Sequence, residues 1–230
     1  MNTPLRVLVV DDERLFAELM RVALGSAQDM QVVDVVHDVA GAVAATARLR
    51  PDVVLSDYHL PDGTGADVAR SVRRAAPEAS VLVLTGDPSS TVLADVARSG
   101  AVGHLTKSRG LDEVVAAVRV AATGEILFSP SELQRLLVAE PKDVVLDEPL
   151  TARELEVLRL LANGSSTSAA STLLGISTAT LRAHVQAILR KLGAHSRLEA
   201  VAEAARLGLI TLDMRARDRS PARGSALAEG

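Results

Sequence analysis

The first half of the chain alternates between short apolar runs and longer segments whose apolar residues recur every three or four positions. The runs are Leu5–Val10, Val32–Val36, Val53–Ser56, Val81–Leu84 and Val102–Leu105. Mostly aliphatic runs of this kind, without polar alternation, predict strands covered on both faces, as in a parallel sheet. The periodic segments between them predict helices over Glu13–Gly25, Val39–Leu49, Gly65–Ala76, Ser89–Ser99 and Leu111–Thr123. Breakers at Pro61-Asp62-Gly63, Asp87-Pro88, Gly100 and Gly110 punctuate the rhythm. Five βα repeats with right-handed crossovers specify an α/β, doubly wound parallel sheet with helices on both faces.

The alternation stops near Thr123. Residues 124–149 hold three prolines and a charged stretch at Glu140–Asp143, and predict a linker with a short helix at Ser131–Ala139. Residues 150–212 are helical in pattern and strand-poor. Residues 213–230 are polar, with Pro and Gly, and are expected to be a disordered tail. The domain reading is therefore 1–123, a linker over 124–149, a helical domain over 150–212 and a tail over 213–230.

At 230 residues the chain has enough length for two modest domains, each with its own core. With no cysteine, disulfides and thiolate metal sites are excluded. Apolar stretches fall short of a membrane span and Met1–Pro4 has no basic lead-in for a secretory signal, so a cytoplasmic protein without a membrane partner is expected. A net charge of −4 argues against attraction of the whole protein to nucleic acid. The distribution is uneven, however. Val157–Leu198 has no acidic residue but contains Arg159, Arg182, Arg190, Lys191 and Arg197, which suits an anion-facing domain.

Four of the five apolar runs lead into groups suited to phosphoryl chemistry: Asp11 and Asp12, then Asp57, then Thr85, then Lys107. Ligands bind beyond the carboxyl ends of the strands in such sheets, so these groups are expected to converge. Singly each has a plain explanation, such as Asp11 and Asp12 capping the next helix. Jointly they describe a site. Adjacent carboxylates repel and raise each other's pKa unless a hard cation such as Mg²⁺ sits among them. A carboxylate so placed is a nucleophile toward phosphorus, with Lys107 and Thr85 positioned to stabilise the transferring group. Gly86 leaves room beside Thr85.

The segments Val9-Val10-Asp11-Asp12-Glu13, Leu55-Ser56-Asp57-Tyr58-His59-Leu60-Pro61-Asp62-Gly63-Thr64-Gly65 and Gly103-His104-Leu105-Thr106-Lys107 resemble the receiver domain of two-component response regulators. The resemblance implies a flavodoxin-like sheet of order 2-1-3-4-5, with Asp57 as phosphoacceptor. It further implies Mg²⁺ held by Asp11, Asp12, Asp57 and the main-chain carbonyl of His59, and a phosphoryl group sensed by Thr85 and Lys107. At the switch position, where receivers carry Tyr or Phe, this chain has His104. An imidazole there either packs inward, with a titration that makes the switch pH-sensitive, or faces solvent without a role.

In the second half, Thr151 and Glu154 form a capping box opening one helix, which Asn163-Gly164 ends. A second helix is expected over Thr167–Leu174, a turn at Gly175-Ile176-Ser177, and a third helix to about Leu192. A last helix spans Ser196–Leu207, making an all-α, four-helix domain. The middle pair reads as a helix-turn-helix. At 100° per residue Leu181, Val185, Ile188 and Leu192 form the buried stripe. The opposite face shows Ala179, Arg182, Ala183, Gln186 and Arg190, without an acid, suited to base edges and phosphates. Lys191 is expected to be a phosphate contact or a surface charge.

Leu150–Leu212 is similar to the LuxR-type helix-turn-helix, and receiver, linker and this domain follow the order of the NarL/FixJ subfamily. Ser168-Ala169-Ala170-Ser171 departs from the family's Lys-Glu-Ile-Ala-like run. The implied function is a transcription regulator switched by a sensor histidine kinase through Asp57. It would act as a homodimer on double-stranded DNA when phosphorylated, its receiver beforehand occluding the recognition helix or holding the chains apart. Alternatives are a phosphorylation-independent DNA binder or a protein-binding output module. A Mg²⁺-dependent phosphohydrolase needs a substrate pocket that the short loops after the strands leave no room for, so no enzyme beyond self-phosphorylation and autodephosphorylation is expected.

Overall fold

The computed structural model describes residues 3–86, 89–128, 148–194 and 196–210. Strands β1 (Leu5–Val10), β2 (Met30–Val36), β3 (Val53–Asp57), β4 (Ser80–Thr85) and β5 (Gly103–Thr106) form one parallel sheet of order β2-β1-β3-β4-β5. They are linked by α1 (Arg14–Gly25), α2 (Val39–Leu49), α3 (Gly65–Ala75), α4 (Ser90–Ser99) and α5 (Leu111–Ala122). Because side chains alternate along a strand, the sheet divides the core in two. Leu8 and Val10 pack with Val54, Val68, Val72, Val83 and Val96 on one side. Val7 and Val9 pack with Met20, Leu24, Leu55, Leu84 and Val118 on the other. Apolar runs without alternation are thus explained by burial on both faces.

Local chemistry sets the helix starts. Asp38 caps α2, Ser89 caps α4, and Thr64 with Asp67 forms a capping box on α3. β2 starts at Met30, two residues before the apolar run, because Met30 and Gln31 lie in register with Leu5 and Arg6. Past Thr123 the chain stays on the receiver. Leu127 N donates to Val102 O at 2.7 Å, and Phe128 is buried. The expected helix at Ser131–Ala139 and the expected tail at 213–230 lie outside the described residues.

The helical domain contains α6 (Ala152–Ala162), α7 (Thr167–Leu174), α8 (Thr178–Lys191) and α9 (Arg197–Arg206). Thr151, Ser166, Ser177 and Ser196 each accept a hydrogen bond from a backbone N–H three residues on, satisfying one orphan donor per helix. Gly175, at φ 63°, turns α7 into α8. The core gathers Val157, Leu158, Leu161, Leu181, Val185, Ile188, Leu192 and Val201. Ala170 is fully buried there, so the departure at Ser168–Ser171 still yields a closed core.

The two domains meet. α9 packs against α4, and Leu198 joins the receiver core beside Ala101 and Phe128. Thr167 N donates to Thr123 O at 3.1 Å, and Arg197 Nη1 donates to Gly124 O at 2.8 Å.

Candidate functional site

At the carboxyl edge of the sheet, β1 delivers Asp11 and Asp12 and β3 delivers Asp57. Carboxylate oxygens of the three lie within 4.8 Å of one another. Asp11 and Asp57 are buried, whereas Asp12 is exposed. The turn after β5 sends Lys107 into the same notch, its Nζ 3.1 Å from Asp11 Oδ2, 3.1 Å from Glu13 Oε1 and 3.3 Å from Asp57 Oδ1. The ammonium also stands 4.6 Å from the centre of the Phe16 ring, in cation–π range. Thr85 is buried at the end of β4, where its carbonyl accepts from Lys107 N at 2.8 Å, so backbone pairing fixes the lysine's root. Space beside Gly86 is open. His59 begins a two-residue hairpin arm just after Asp57. Gly65 N donates to Tyr58 O at 2.8 Å, and a Cβ on Gly65 would fall 2.5 Å from Asp57 O. Only glycine permits that approach.

The electrostatics are unresolved within the notch. Burial pushes the Asp57 carboxyl above its ordinary value; Lys107 lowers it and the Asp11 charge raises it further. Burial likewise raises Asp11, against the pull of Lys107. At Lys107 burial works against the charge, but the Asp11 and Glu13 carboxylates, each 3.1 Å away, and the Asp57 charge hold it above the usual lysine value. One lysine is shared among three carboxylates, Asp11, Glu13 and Asp57. Asp11 Oδ2 is buried and, despite its closeness to Lys107, receives no hydrogen bond of good geometry. Three carboxylate donors with an unsatisfied buried oxygen among them suit a hard, oxygen-preferring cation.

His104 is buried on β5, its ring 5.6 Å from that of Phe128, so the switch position faces inward against the chain leaving the receiver. Tyr58 Oη donates to Asp95 at 3.0 Å, and Asp95 also accepts from Arg70. Burial and the Asp95 carboxylate push the Tyr58 hydroxyl up to about 12.

In the second domain, Leu181, Val185, Ile188 and Leu192 are buried, and Leu189 joins them. Ala179, Arg182, Ala183, Gln186 and Arg190 are exposed on the other face of α8. That face looks toward the receiver. Arg182 pairs with Glu78, which follows α3, and Arg182, Ala183, Gln186 and Arg190 line an interdomain cavity. Lys191 does not share this face. Its side chain is 5% exposed, with Nζ 2.9 Å from Glu154, 3.2 Å from Glu148 and 3.2 Å from the Pro149 carbonyl. The last residue of α8 lies between the buried and exposed stripes, and here it closes an internal ion pair. Burial pushes Glu154 up, but the Thr151 amide and Lys191 outweigh it and hold the carboxyl below its usual range. Arg153 Nη2 donates to Leu174 O at 2.6 Å, securing the end of α7.

Glu13 and Phe16 beside Lys107, and Glu78 opposite Arg182, are not among the residues the sequence pattern singles out. Glu13 carried a signal, since it adjoins the Asp pair; Glu78 carried none.

A doubly wound domain with an acidic notch, joined to a helix-turn-helix, has clear relatives. Residues 7–119 match the response regulator receiver domain and residues 148–204 match the bacterial regulatory proteins of the luxR family. The chain is 35% identical over 206 residues to the probable transcriptional regulatory protein NarL of Mycobacterium tuberculosis (strain ATCC 25618 / H37Rv), covering 89% of this chain and 95% of that protein. It is 35% identical over 201 residues to the nitrate/nitrite response regulator protein NarP of Escherichia coli (strain K12), covering 86% and 93%. The solved receiver domain of the putative response regulator NarL from Mycobacterium tuberculosis superposes with a TM-score of 0.52 at 34% identity, covering 53% of this chain and 98% of that one. The chain belongs to the two-component response regulators of the NarL/FixJ subfamily, transcription factors that join a receiver to a LuxR-type DNA-binding domain. No helix among the described residues is long and apolar enough to cross a membrane.

Proposed function

We propose that Asp57 accepts a phosphoryl group from a sensor histidine kinase, and that this modification releases the DNA-binding domain and allows a homodimer to form on double-stranded DNA. The functional division is the one expected from the sequence: receiver 1–123, linker 124–149, DNA-binding domain 150–212. Asp11, Asp12, Asp57 and the His59 carbonyl would hold Mg²⁺, which supplies charge neutralisation for the carboxylates and the incoming phosphoryl oxygens. The chain's own part is nucleophilic. A carboxylate oxygen of Asp57 forms the bond to phosphorus while the bond from phosphorus to the donor's nitrogen, or to the oxygen of an acyl phosphate, breaks. Lys107, already 3.3 Å from Asp57, balances the added negative charge, and Thr85 donates its hydroxyl. Drawing Lys107 and Thr85 to the phosphate shifts β4 and β5 at their ends, next to His104 and the Phe128 ring.

The observation that carries this reading is the orientation of α8. The reading face we assign to Ala179, Arg182, Ala183, Gln186 and Arg190 borders the receiver, with Arg182 paired to Glu78. A duplex needs that face open. α9 is packed against α4 as well. Lys191 acts as a strut of the fold in this reading. The kinase would dock beside the notch, where Leu15 (87% exposed), Leu19 and Val22 make an apolar stripe along α1.

The test is operator binding and oligomeric state, with and without acetyl phosphate and Mg²⁺, for native protein and Asp57→Asn. Only phosphorylated native protein should dimerise and bind tightly. Equal binding in all four conditions would remove phosphorylation from the mechanism.

A further inference from the structure

Between the two domains lies a cavity of about 760 Å³, a volume suited to a small molecule. Arg73 from α3 and Arg182, Arg190 and Arg197 from the helical domain border it, against, among the described residues, the single carboxylate of Glu78. Glu78 is engaged by Arg182, and among the described residues Arg190 reaches only Glu148, at 3.7 Å. Arg197 is the more telling group. Its Nη1 donates to two neutral acceptors, Gly124 O at 2.8 Å and Thr167 Oγ1 at 3.1 Å, and among the described residues no carboxylate lies within ion-pair distance. A guanidinium offers five N–H donors, so most of this one's capacity is unused. Burial pulls Arg197 below the usual arginine value and Arg182 adds to the effect. Burial does the same at Arg73, where Arg74 adds and Glu199 opposes. Positive charge is thus gathered from both domains and left under-compensated.

The remaining wall sets the ligand class. The hydroxyl-bearing residues Thr167, Ser168 and Thr178 border the space, and no aromatic residue does among the described residues. Arginine forks with hydroxyls recognise phosphate oxygens, while the lack of a ring leaves no surface on which a nucleobase would stack.

We propose that this interdomain cavity binds a compact anion bearing several phosphoryl groups, bridging Arg73 of the receiver to Arg182 and Arg197 of the helical domain. Because a bridging ligand binds only the closed arrangement, its occupancy disfavours DNA binding by linkage. That consequence rests on the recognition face assigned to α8; the binding itself does not.

The probe is inorganic tripolyphosphate, titrated calorimetrically into the full-length unphosphorylated protein with divalent metal chelated, so that the acidic notch repels it. Saturable one-to-one binding is expected. Arg73→Gln, which leaves α8 intact, should weaken it about tenfold, with circular dichroism and Asp57 phosphorylation reporting an intact fold. Arg197→Lys should weaken it too, by keeping the charge and losing the fork. Arg109→Gln, an exposed arginine paired with Glu113 outside the cavity, should change nothing. Tripolyphosphate should lower the DNA affinity of the native chain and leave that of Arg73→Gln unchanged. No saturation up to millimolar probe, equal weakening by Arg109→Gln, or unaltered antagonism in Arg73→Gln would each overturn the proposal. None of these results touches the phosphorylation switch, which the Asp57 variants decide separately.

Discussion

The acidic notch and the exposed face of α8 both hold charge that is poorly neutralised nearby, yet they hold it in opposite ways. In the notch, Asp11, Asp57 and Glu13 crowd one lysine with Asp12 beside them, and burial raises the two inner carboxyls. The imbalance is local, and local chemistry relieves it: a cation, or a covalent change at Asp57. On α8, Arg182 and Arg190 stand exposed, and the carboxylate that answers Arg182 belongs to the receiver. That balance is set by domain arrangement. A chemical event in one region therefore reads out in the other only if it changes how the domains sit.

The largest expected effect is at the notch. Asp57→Asn should abolish any gain in DNA affinity from a phosphodonor, measured by fluorescence anisotropy; a retained gain would mean the switch lies elsewhere. Next comes the α8 face. Arg182→Ala should lower sequence-specific affinity by about 1–3 kcal/mol, roughly five- to 150-fold, and an unchanged footprint would defeat the face assignment. The clasp between the regions is weaker. Because the Glu78–Arg182 pair is exposed and worth at most about 1 kcal/mol, Glu78→Gln should raise the DNA affinity of unphosphorylated protein only a few-fold, with the phosphorylated form unaffected. If both forms gain equally, Glu78 repels DNA rather than holding Arg182.

The smallest effect is thermal. A carboxyl with a raised pKa in the folded state binds its proton more tightly when folded, so its charge costs stability once pH exceeds that pKa. At pH 7, Asp57→Asn should therefore melt higher, at about 2–4 °C per kcal/mol relieved for a chain of this size. The difference should shrink as pH falls toward 3.8, where the native carboxyl is protonated too. A lower melting point at pH 7, read by calorimetry, would show that the Lys107 pair outweighs burial.

Local signals in the sequence were sufficient for the sheet. The strands are mostly aliphatic because helices cover both faces of the sheet, and the order 2-1-3-4-5 agrees with the receiver resemblance. The convergence of Asp11, Asp12, Asp57 and Lys107 was legible because all four sit at strand ends, and strand ends share one edge. What escaped was set by distance along the chain. Glu78 meets Arg182, and Gly124 meets Arg197, across a domain boundary that has no periodicity to read. Lys191 sits at a helical position flanking both stripes, so only the packed domain shows it turned toward Glu154. Phe128 and Leu127 looked like the start of a linker because two apolar residues have no period, although their partners on β5 were already present.

Gly103 and Leu127 have a consequence for how the protein behaves when concentrated. β5 is one of the two outer strands of the sheet, and an open outer strand invites pairing with another molecule. Leu127 lies alongside Gly103 in a parallel bridge, where a Cβ on Gly103 would fall 2.4 Å from the Leu127 side chain. The absence of a side chain at residue 103 thus lets the departing backbone act as a selvedge along part of that border, guarding the fold against fibrous self-assembly.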